Sequence, residues 1–303
     1  MENFEIGFIG LGRMGQNMVS KMLSSKKIGV TVWNRTWGKV QQMVDQGANG
    51  AKNIEDLVKS LNHSRKIVWL MLPAGNVTEE IFQQLLNLLG EDDIIIEGAN
   101  SNYKDSIRRH KEADKKGIQM LDVGVSGGII AAQTGYPMMV GGDKKTFDYL
   151  APVFTSFGIA EGVDLMGGPG SGHYVKMIHN AIEYGMMQAI SEGFDLLKNG
   201  SMKGLDLKKI SHLWNHGTII SSFLMRMAEN ALEKDINLDQ IKAFVEDSGE
   251  GKWSVEEAIA NNVPFIANTY ALQARFQSRD KNSYTFKMLS ALRNEFGGHP
   301  VKR

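Results

Sequence analysis

Four polar side chains recur at helical spacing between residues 176 and 183. Lys176, His179, Asn180 and Glu183 stand at i, i+3, i+4 and i+7, so an α-helix would present all four on one face. Such a stripe combines a base, an acid and two hydrogen-bonding groups, which suits acid–base catalysis. The alternative is a solvated face, since a lysine on a helix is usually exposed.

The apolar residues around the stripe predict how this helix is positioned. We expect the helix to follow the glycine-rich turn at residues 167–172 and to run to about residue 199. Val175, Met177, Ile178 and Ile182 fall on its opposite side. They are expected to anchor the helix in a core while the polar stripe lines a cleft.

The chain ahead of this helix has a different pattern. Short apolar runs alternate with helical patterns over residues 1–165, which predicts an α/β domain with a Rossmann-type, doubly wound parallel sheet. Residues 166–303 predict an all-α domain, including a helix over about 238–246. The main domain boundary is therefore expected near residue 165.

The first predicted strand leads into the glycine motif Gly10-Leu11-Gly12-Arg13-Met14-Gly15, which precedes a helical pattern. In this context the glycines permit a tight turn and let backbone amides and the helix N-terminus meet a pyrophosphate. We therefore predict that these six residues bind a dinucleotide. A glycine-rich connection that only packs strand against helix is the alternative.

The second predicted strand ends in Asn34-Arg35-Thr36, without an acidic residue. An Asp or Glu here would bind the 2′-hydroxyl of NAD, whereas an Arg with polar neighbours accommodates the 2′-phosphate of NADP. These residues favour NADP as the cofactor. NAD is the alternative cofactor, and a merely solvated Arg35 is the structural alternative.

Three further loops that follow predicted strands are small, polar and rich in glycine. They are Leu72-Pro73-Ala74-Gly75, Glu97-Gly98-Ala99-Asn100-Ser101-Asn102-Tyr103 and Val123-Gly124-Val125-Ser126-Gly127-Gly128. Ligands of open parallel sheets bind beyond the carboxyl ends of the strands, so we expect a cofactor and a sugar-sized substrate to meet these loops. Glycine turns that only reverse the chain are the alternative.

Composition excludes several other classes of protein. The 303 residues hold 34 Lys and Arg against 34 Asp and Glu, so no net charge attracts nucleic acid or an anionic membrane. The absence of cysteine excludes disulfides, thiolate nucleophiles and Cys-ligated metals. No apolar run approaches a membrane span and the N-terminus has no signal-peptide pattern, so we expect a cytoplasmic protein.

Together these motifs resemble the decarboxylating 6-phosphogluconate dehydrogenases of the short-chain type, within the β-hydroxyacid dehydrogenase superfamily. The resemblance spans nearly the whole chain and rests on the glycine motif, the Asn100 loop, residues 125–128, residues 176–184 and residues 293–299. It implies a dinucleotide-binding Rossmann domain over residues 1–165. It also implies an all-α substrate-binding and dimerisation domain over residues 166–303.

The resemblance assigns site residues as well. Lys176, Glu183, Asn180 and His179 are the implied catalytic group, with Lys176 as general base and Glu183 as general acid. The substrate is implied to contact Asn100, Ser126, Gly127, Gly128, Tyr184, Lys252, Arg275, Arg293 and His299. The cofactor is implied to contact the glycine motif, Asn34, Arg35, Thr36, Leu72, Pro73, Ala74 and Asn100.

The implied reaction oxidises the C3 hydroxyl of 6-phosphogluconate, releases the C1 carboxylate as CO₂ and leaves ribulose 5-phosphate, a step of pentose phosphate or gluconate metabolism. Lys176 would take the hydroxyl proton and then stabilise the enolate, and Glu183 would protonate C1 of the resulting enediol to give ribulose 5-phosphate, with no metal required. The family's homodimer implies that Arg293 and His299 complete the neighbouring subunit's site.

Three features depart from the family pattern. Ala99 stands where a second glycine is usual, the segment before Lys252 is shortened and lacks a lysine, and Arg35 is NADP-like although short-chain members often look NAD-type. Two alternative functions stay open. One is a dehydrogenase for a small unphosphorylated hydroxyacid, and the other is a non-catalytic NADPH-binding sensor.

Overall fold

The computed structural model describes residues 4–157 and 159–302, without the side chains of residues 160 and 296. Residues 1–3, 158 and 303, which include the outer ends of both predicted domains, lie outside the described part. The chain divides into two compact units, Met1–His179 and Asn180–Arg303, and the division falls inside one helix, Ser171–Asn199. No helix of the described residues is long and apolar enough to cross a membrane.

Eight strands of the first unit form one sheet. They are β1 Phe4–Ile9, β2 Ile28–Trp33, β3 Asn49–Gly50, β4 Ile67–Leu70, β5 Ile94–Glu97, β6 Gln119–Val125, β7 Met138–Gly142 and β8 Val163–Gly167. Their order is β3-β2-β1-β4-β5-β6-β7-β8, and all neighbours are parallel except β6 and β7. The predicted Rossmann-type sheet is confirmed, with one antiparallel pair added to it.

The helices of the first unit pack on this sheet. They are α1 Arg13–Ser24, α2 Trp37–Val44, α3 Ile54–Ser60, α4 Asn76–Leu88, α5 Tyr103–Asp114, α6 Ala131–Thr134, α7 Lys144–Tyr149 and α8 Ala151–Thr155. Phe8 of β1 and Met18 of α1 belong to one buried cluster, whereas Leu70 of β4 and Phe82 of α4 belong to another. Because successive strand side chains point to opposite faces, both faces of the sheet are covered.

The described residues of the second unit are helical, as predicted, and contain no strand. The long helix is α9 (Ser171–Asn199), followed by α10 Leu207–Trp214, α11 Phe223–Lys234, α12 Glu250–Ala260, α13 Ile266–Arg279 and α14 Tyr284–Gly297. The predicted helix over 238–246 is wrong. There the Asp235 carboxylate accepts from the backbone N–H groups of Asn237 and Gln240, each at 3.1 Å, and Leu238 has a φ of +56°. These contacts form turns that compete with a helix.

A buried carboxylate fixes where α9 begins. Asp122 of β6 is fully buried, and it accepts from the backbone N–H of Gly170 at 2.8 Å and of His173 at 2.9 Å. His110 of α5 donates its Nε2–H to the same carboxylate at 3.0 Å. The contacts satisfy amides that the first turn of a helix leaves open, and the helix dipole favours a negative charge there. The sheet therefore sets the starting point of α9.

Two glycines bring α9 against the strands without intervening side chains. A Cβ on Gly172 would lie 2.4 Å from the carbonyl oxygen of Asp122, and a Cβ on Gly124 of β6 would lie 2.3 Å from the Cβ of Lys176. Both distances are shorter than any ordinary contact, so only glycine permits this packing. Lys176, three residues beyond His173, is held against the end of β6.

The substitution Asp122→Asn tests this anchor. Burial raises the pKa of Asp122, but the hydrogen bond from His110, the charges of His173 and His110, and the backbone N–H of His173 outweigh it, so the pKa lies below its usual 3.8. A carboxylate whose pKa is lower in the folded state stabilises the fold at pH values above its pKa in the unfolded state. That contribution is lost as pH falls through its pKa in the folded state. We expect the variant to lose on the order of 3 kcal/mol of unfolding free energy at pH 7, and the difference between the two proteins to shrink below about pH 4. Urea unfolding at several pH values measures both effects.

The matched control is Asp148→Asn. Asp148 is exposed and pairs with Lys144 at 2.6 Å on the surface. Removing one exposed ion pair costs less than about 1 kcal/mol. If Asp122→Asn loses no more free energy than this control, or loses as much at pH 3 as at pH 7, Asp122 is not the anchor described above.

Candidate active site

The glycine motif after β1 forms a cradle for a dinucleotide. Gly10 has a φ of +105°, and a Cβ on Gly15 would lie 2.1 Å from the Gly10 carbonyl oxygen, so strand and helix meet backbone to backbone. A Cβ on Gly12, in contrast, would have no neighbour within 4 Å. This open space beside Gly12 is what a pyrophosphate needs in order to reach the backbone.

The N-terminus of α1 supplies hydrogen-bond donors to this cradle. The helix begins at Arg13 with Gly12 as N-cap, and no side chain caps its first turn. The N–H of buried Leu11 donates to Oδ1 of Asn34 at 3.0 Å, while Arg13 is exposed and Met14 is half-buried. Because uncapped amides at a helix start bind anions, these residues fit a dinucleotide pyrophosphate.

The end of β2 is polar and carries no carboxylate. The Asn34 side chain accepts from Leu11 and donates through Nδ2 to the carbonyl oxygen of Thr36 at 3.3 Å. Arg35 and Thr36 are exposed. An exposed guanidinium can bind a phosphate, whereas the ribose of NAD would find no acidic acceptor within residues 34–36.

The loops after β4 and β5 lie at the same edge of the sheet. Leu72 is half-buried and Pro73 and Ala74 are exposed, directly beyond β4. Asn100 follows β5 with a φ of +51°, and its amide accepts from the N–H of Val125 at 3.0 Å and donates to the Val125 carbonyl oxygen at 3.3 Å. Asn100 therefore ties its loop to the end of β6, next to Ser126.

Lys176 lies buried near this tie. Its side chain is 5% exposed, and its Nζ lies 3.2 Å from Oγ of Ser126 and 3.4 Å from Nδ1 of His179. Gly127 and Gly128, both with positive φ, turn the chain directly after Ser126. The first unit thus brings the predicted base together with two hydrogen-bonding side chains and a glycine turn, which suits binding and deprotonation of a hydroxyl group.

The buried face of α9 differs from the expectation. Met177 is buried as expected, but Val175 and Ile178 are only half-buried and Ile182 is 49% exposed, in contrast to buried Lys176. The glycine contact at Gly124 lets the lysine stem pack where apolar side chains were expected. Lys176 is therefore an interior residue, whereas some of the apolar residues expected there are exposed.

In the second unit, two further residues of α9 contact the segment that enters α12. Asn180 donates through Nδ2 to Oε1 of Glu250 at 3.0 Å, and the hydroxyl of Tyr184 accepts from the backbone N–H of Ser248 at 3.2 Å. A Cβ on Gly251 would lie 2.6 Å from the Tyr184 ring. Glu183, the predicted acid, is half-buried on the same helix.

Arg275 of α13 joins this group. Its guanidinium lies 3.6 Å from the centroid of the Tyr184 ring, and its Nη1 donates to the carbonyl oxygen of Glu246 at 2.7 Å. One turn further, Arg279 binds the carboxylate of Asp247 at 2.8 Å. Stacking and hydrogen bonding hold Arg275 in a defined orientation above a predicted substrate residue.

Three other predicted substrate residues are exposed. Lys252 lies 4.0 Å from Glu256 on the surface of α12, and Arg293 and His299 lie in and after α14. The carbonyl oxygen of His299 accepts from the side-chain amide of Asn294 at 2.9 Å. Exposed cations of this kind remain accessible to a phosphate or to a second subunit.

Two residues of these clusters were not predicted. Asp122 stands inside an otherwise apolar strand, and a carboxylate in such a place needs buried donors, which is a signal that the sequence offers. Glu250 stands between Gly249 and Gly251, where cationic residues are expected around a phosphate. The acidic residue at position 250 is the signal that the sequence offers for it.

Comparison with known proteins finds a family match for each part of the chain. Residues 5–167 match the family described as the NAD binding domain of 6-phosphogluconate dehydrogenase, and residues 172–299 match its C-terminal domain. The Bacillus subtilis protein named "Putative 6-phosphogluconate dehydrogenase YqeC" is 41% identical over 299 residues, 99% of each chain. A Haloferax volcanii protein named 6-phosphogluconate dehydrogenase, NAD(+)-dependent, decarboxylating, is 38% identical over 303 residues, again 99% of each chain.

Solved structures are also similar to this chain. The 6-phosphogluconate dehydrogenase of Plasmodium falciparum is 31% identical with a TM-score of 0.83, over 99% of this chain and 66% of that one. A 3-hydroxyisobutyrate dehydrogenase of Salmonella typhimurium, 20% identical with a TM-score of 0.74 over 89% of this chain and 92% of that one, shares the fold alone. The resemblance drawn from the motifs is confirmed: the chain belongs to the 6-phosphogluconate dehydrogenase family of nicotinamide-dependent oxidoreductases.

Proposed function

We propose that this protein catalyses the oxidative decarboxylation of 6-phosphogluconate to ribulose 5-phosphate and CO₂, with NADP as oxidant. The observation that carries the proposal is Lys176, a buried amine in contact with Ser126 and His179. Burying a lysine costs free energy, so a buried lysine is a candidate functional group, and here it lies on a helix anchored to the predicted cofactor-binding sheet. Family membership supplies the substrate class.

Lys176 performs two steps in this proposal. As a neutral amine it takes the proton of the C3 hydroxyl while C3 is oxidised to a ketone. Bound NADP, held by the glycine motif, supplies the oxidising power by accepting a hydride. The protonated Lys176 then donates a hydrogen bond to the C3 oxygen, which becomes an enolate as the C1 carboxylate leaves as CO₂. Ser126 and His179 keep its Nζ in place through both steps.

Glu183 completes the reaction by protonating the carbon that was C2 of 6-phosphogluconate and becomes C1 of ribulose 5-phosphate. Asn180 orients substrate hydroxyls beside it. The phosphate is assigned to Arg275, Lys252, Arg293 and His299, because a chain without net charge must concentrate positive charge locally where a substrate with two anionic groups binds. The proposed hydride and proton transfers require no metal ion.

The choice of NADP rests on the end of β2. Arg35 is exposed there with Thr36 beside it, and residues 34–36 include no acidic residue to bind a ribose 2′-hydroxyl. The relative from Haloferax volcanii is named NAD(+)-dependent, so the NAD alternative has direct support among similar proteins.

We also propose that two copies form a homodimer in the cytoplasm, with Arg293 and His299 of one copy completing the site of the other. The second unit exposes many large apolar side chains, Ile219 completely and Leu196, Ile259 and Ile266 largely. Its described buried apolar cluster is small, with Tyr184, Ala271 and Leu272 at its centre. An exposed apolar surface of this extent is typical of a subunit interface.

The first prediction under this proposal concerns the reaction and the cofactor. Purified protein with 6-phosphogluconate should reduce NADP and release one CO₂ for each NADPH, and kcat/KM should be at least about tenfold higher with NADP than with NAD because Arg35 binds the 2′-phosphate. Absorbance at the nicotinamide band and CO₂ capture measure the two products. Turnover of 3-hydroxyisobutyrate but not of 6-phosphogluconate would refute the substrate, and a preference for NAD would refute only the role of Arg35.

The second prediction separates the base from the acid. Lys176→Met should lower kcat by at least about 10³-fold while NADP still binds, because the first step fails. Glu183→Gln should lower kcat about 10²-fold but still form a rapid burst of NADPH, because only the final protonation fails. Stopped-flow absorbance and cofactor titration distinguish the two. Glu192→Gln, an exposed substitution on the same helix, is the control; equal bursts in both variants would contradict the assigned roles.

The third prediction tests the shared site. Lys176→Met and Arg293→Ala homodimers should each be nearly inactive at low substrate. A heterodimer of the two variants should regain about half of the wild-type activity per dimer, because one of its two sites receives an intact lysine and an intact tail. Co-expression with two different tags and sequential purification gives that heterodimer. An inactive heterodimer would mean that each tail serves its own subunit.

A further inference from the structure

A buried ion pair lies next to the Asn100 loop. Glu97, the last residue of β5, is fully buried, and Arg109 of α5 is 1% exposed. Nη1 of Arg109 donates to Oε2 of Glu97 at 3.1 Å and to Oγ of Ser101 at 3.2 Å. Its Nε donates to Oε2 of Glu79, on α4, at 3.0 Å. None of these side chains takes part in the proposed chemical steps, so the pair needs an explanation of its own.

The ion pair closes the segment 97–101, which carries Asn100. The hydroxyl of Ser101 donates to Oε1 of Glu97, so the two ends of the segment are bonded to each other. The same hydroxyl accepts from Arg109, and one guanidinium therefore holds both ends. Asn100 lies between them with a φ of +51°, a conformation that is uncommon for residues other than glycine and persists where neighbouring contacts enforce it.

Stability is an incomplete explanation of this pair. Taking two charges out of water costs much of what their attraction returns, and apolar side chains of similar volume often hold a fold equally well. An arginine, in contrast, fixes direction, because its planar fork presents several donors at set angles. The three acceptors of Arg109 belong to α4, to β5 and to the loop after β5. Its guanidinium therefore orients this loop relative to the sheet and to α4.

Asn100 is the residue on which this orientation acts. It is half-buried and follows the carboxyl end of β5, where open parallel sheets bind their ligands. Its amide is bonded to both backbone groups of Val125, the residue before Ser126. We propose that Arg109 is a positioning residue: it contacts neither ligand, but through the segment 97–101 it holds Asn100 where cofactor and substrate meet. This inference rests on the proposed function and extends it to a residue outside the site.

The substitution Arg109→Lys tests this role, because it keeps the charge although one ammonium group cannot reach all three acceptors. The dissociation constant of NADP and the KM for 6-phosphogluconate should each rise about tenfold or more, since a displaced Asn100 serves neither ligand. Equilibrium titration and initial rates, both well below the melting temperature, measure the two constants. A lower melting temperature with both constants unchanged would overturn the inference, because the pair would then only stabilise the fold.

The matched control is Arg108→Lys. Arg108 precedes Arg109 on α5 and pairs with the same Glu79, but its side chain is 43% exposed. Because an exposed pair contributes little, both constants should stay within about twofold of the wild type. An equal rise in both constants in this control would show a general effect of α5 and would overturn the specific role of Arg109.

A second variant, Ser101→Ala, serves where Arg109→Lys does not fold, because it removes one hydroxyl and leaves the ion pair in place. Both constants should rise roughly tenfold, the effect of one hydrogen bond. Its control is Ser211→Ala, which removes a fully buried hydroxyl of the second unit that donates to the carbonyl oxygen of Lys208 at 2.8 Å. Constants in Ser101→Ala that match those of this control would overturn the inference.

A double-substitution cycle shows whether Arg109 acts through Asn100. Asn100→Gly removes the amide and still permits a positive φ. In that background Arg109→Lys should raise the two constants by less than about twofold more, because the group that it positions is absent. Effects that multiply in full would overturn the inference. If the wild type binds NADP but does not turn over 6-phosphogluconate, the proposed function fails, whereas the NADP titrations still decide the role of Arg109.

Discussion

The hydrogen bonds between the Asp122 carboxylate and the first turn of α9 are the interaction on which the arrangement of the first unit depends. A fully buried carboxylate persists only with donors on every side, and here Gly170, His173 and His110 provide them. Gly170 and His173 lie at the start of α9 and His110 lies in α5, so the carboxylate ties β6 to two helices. Because α9 is regular, fixing its first turn also fixes Lys176, and with it the distance from the amine to Ser126.

Features that depend on residues close together in sequence could be predicted from local patterns. The glycine motif was interpretable because its function, a tight turn into a helix start, needs only six consecutive residues. Lys176, His179 and Asn180 could be selected as candidates because helical spacing alone places them on one face. The same reasoning gave the Rossmann-type sheet and the helical second unit, since both follow from the period of the apolar residues.

Features that depend on distant contacts were not accessible in the same way. Strand β8 was not predicted, because its residues are only partly buried and its apolar signal is weak. The interior position of Lys176 depends on the absence of a side chain at Gly124, on a separate strand. The segment at 238–246 has a helical pattern, but Ile241 and Phe244 are exposed in it, and a short helix without packing for its apolar side is marginal.

The contact between Lys176 and His179 constrains which nitrogen atoms of the two side chains can carry hydrogens. When Lys176 is an ammonium group, it can only donate, so His179 must present an unprotonated Nδ1 and carry any proton on Nε2. When Lys176 is a neutral amine, it can accept from the hydroxyl of Ser126 and keep its remaining hydrogens directed elsewhere. The hydrogen-bonding role of the lysine and the tautomer of the histidine are therefore linked. In the proposed reaction Lys176 is the base, and His179 limits the hydrogen-bonding role that the lysine can take, so changing either side chain alters the role of the other.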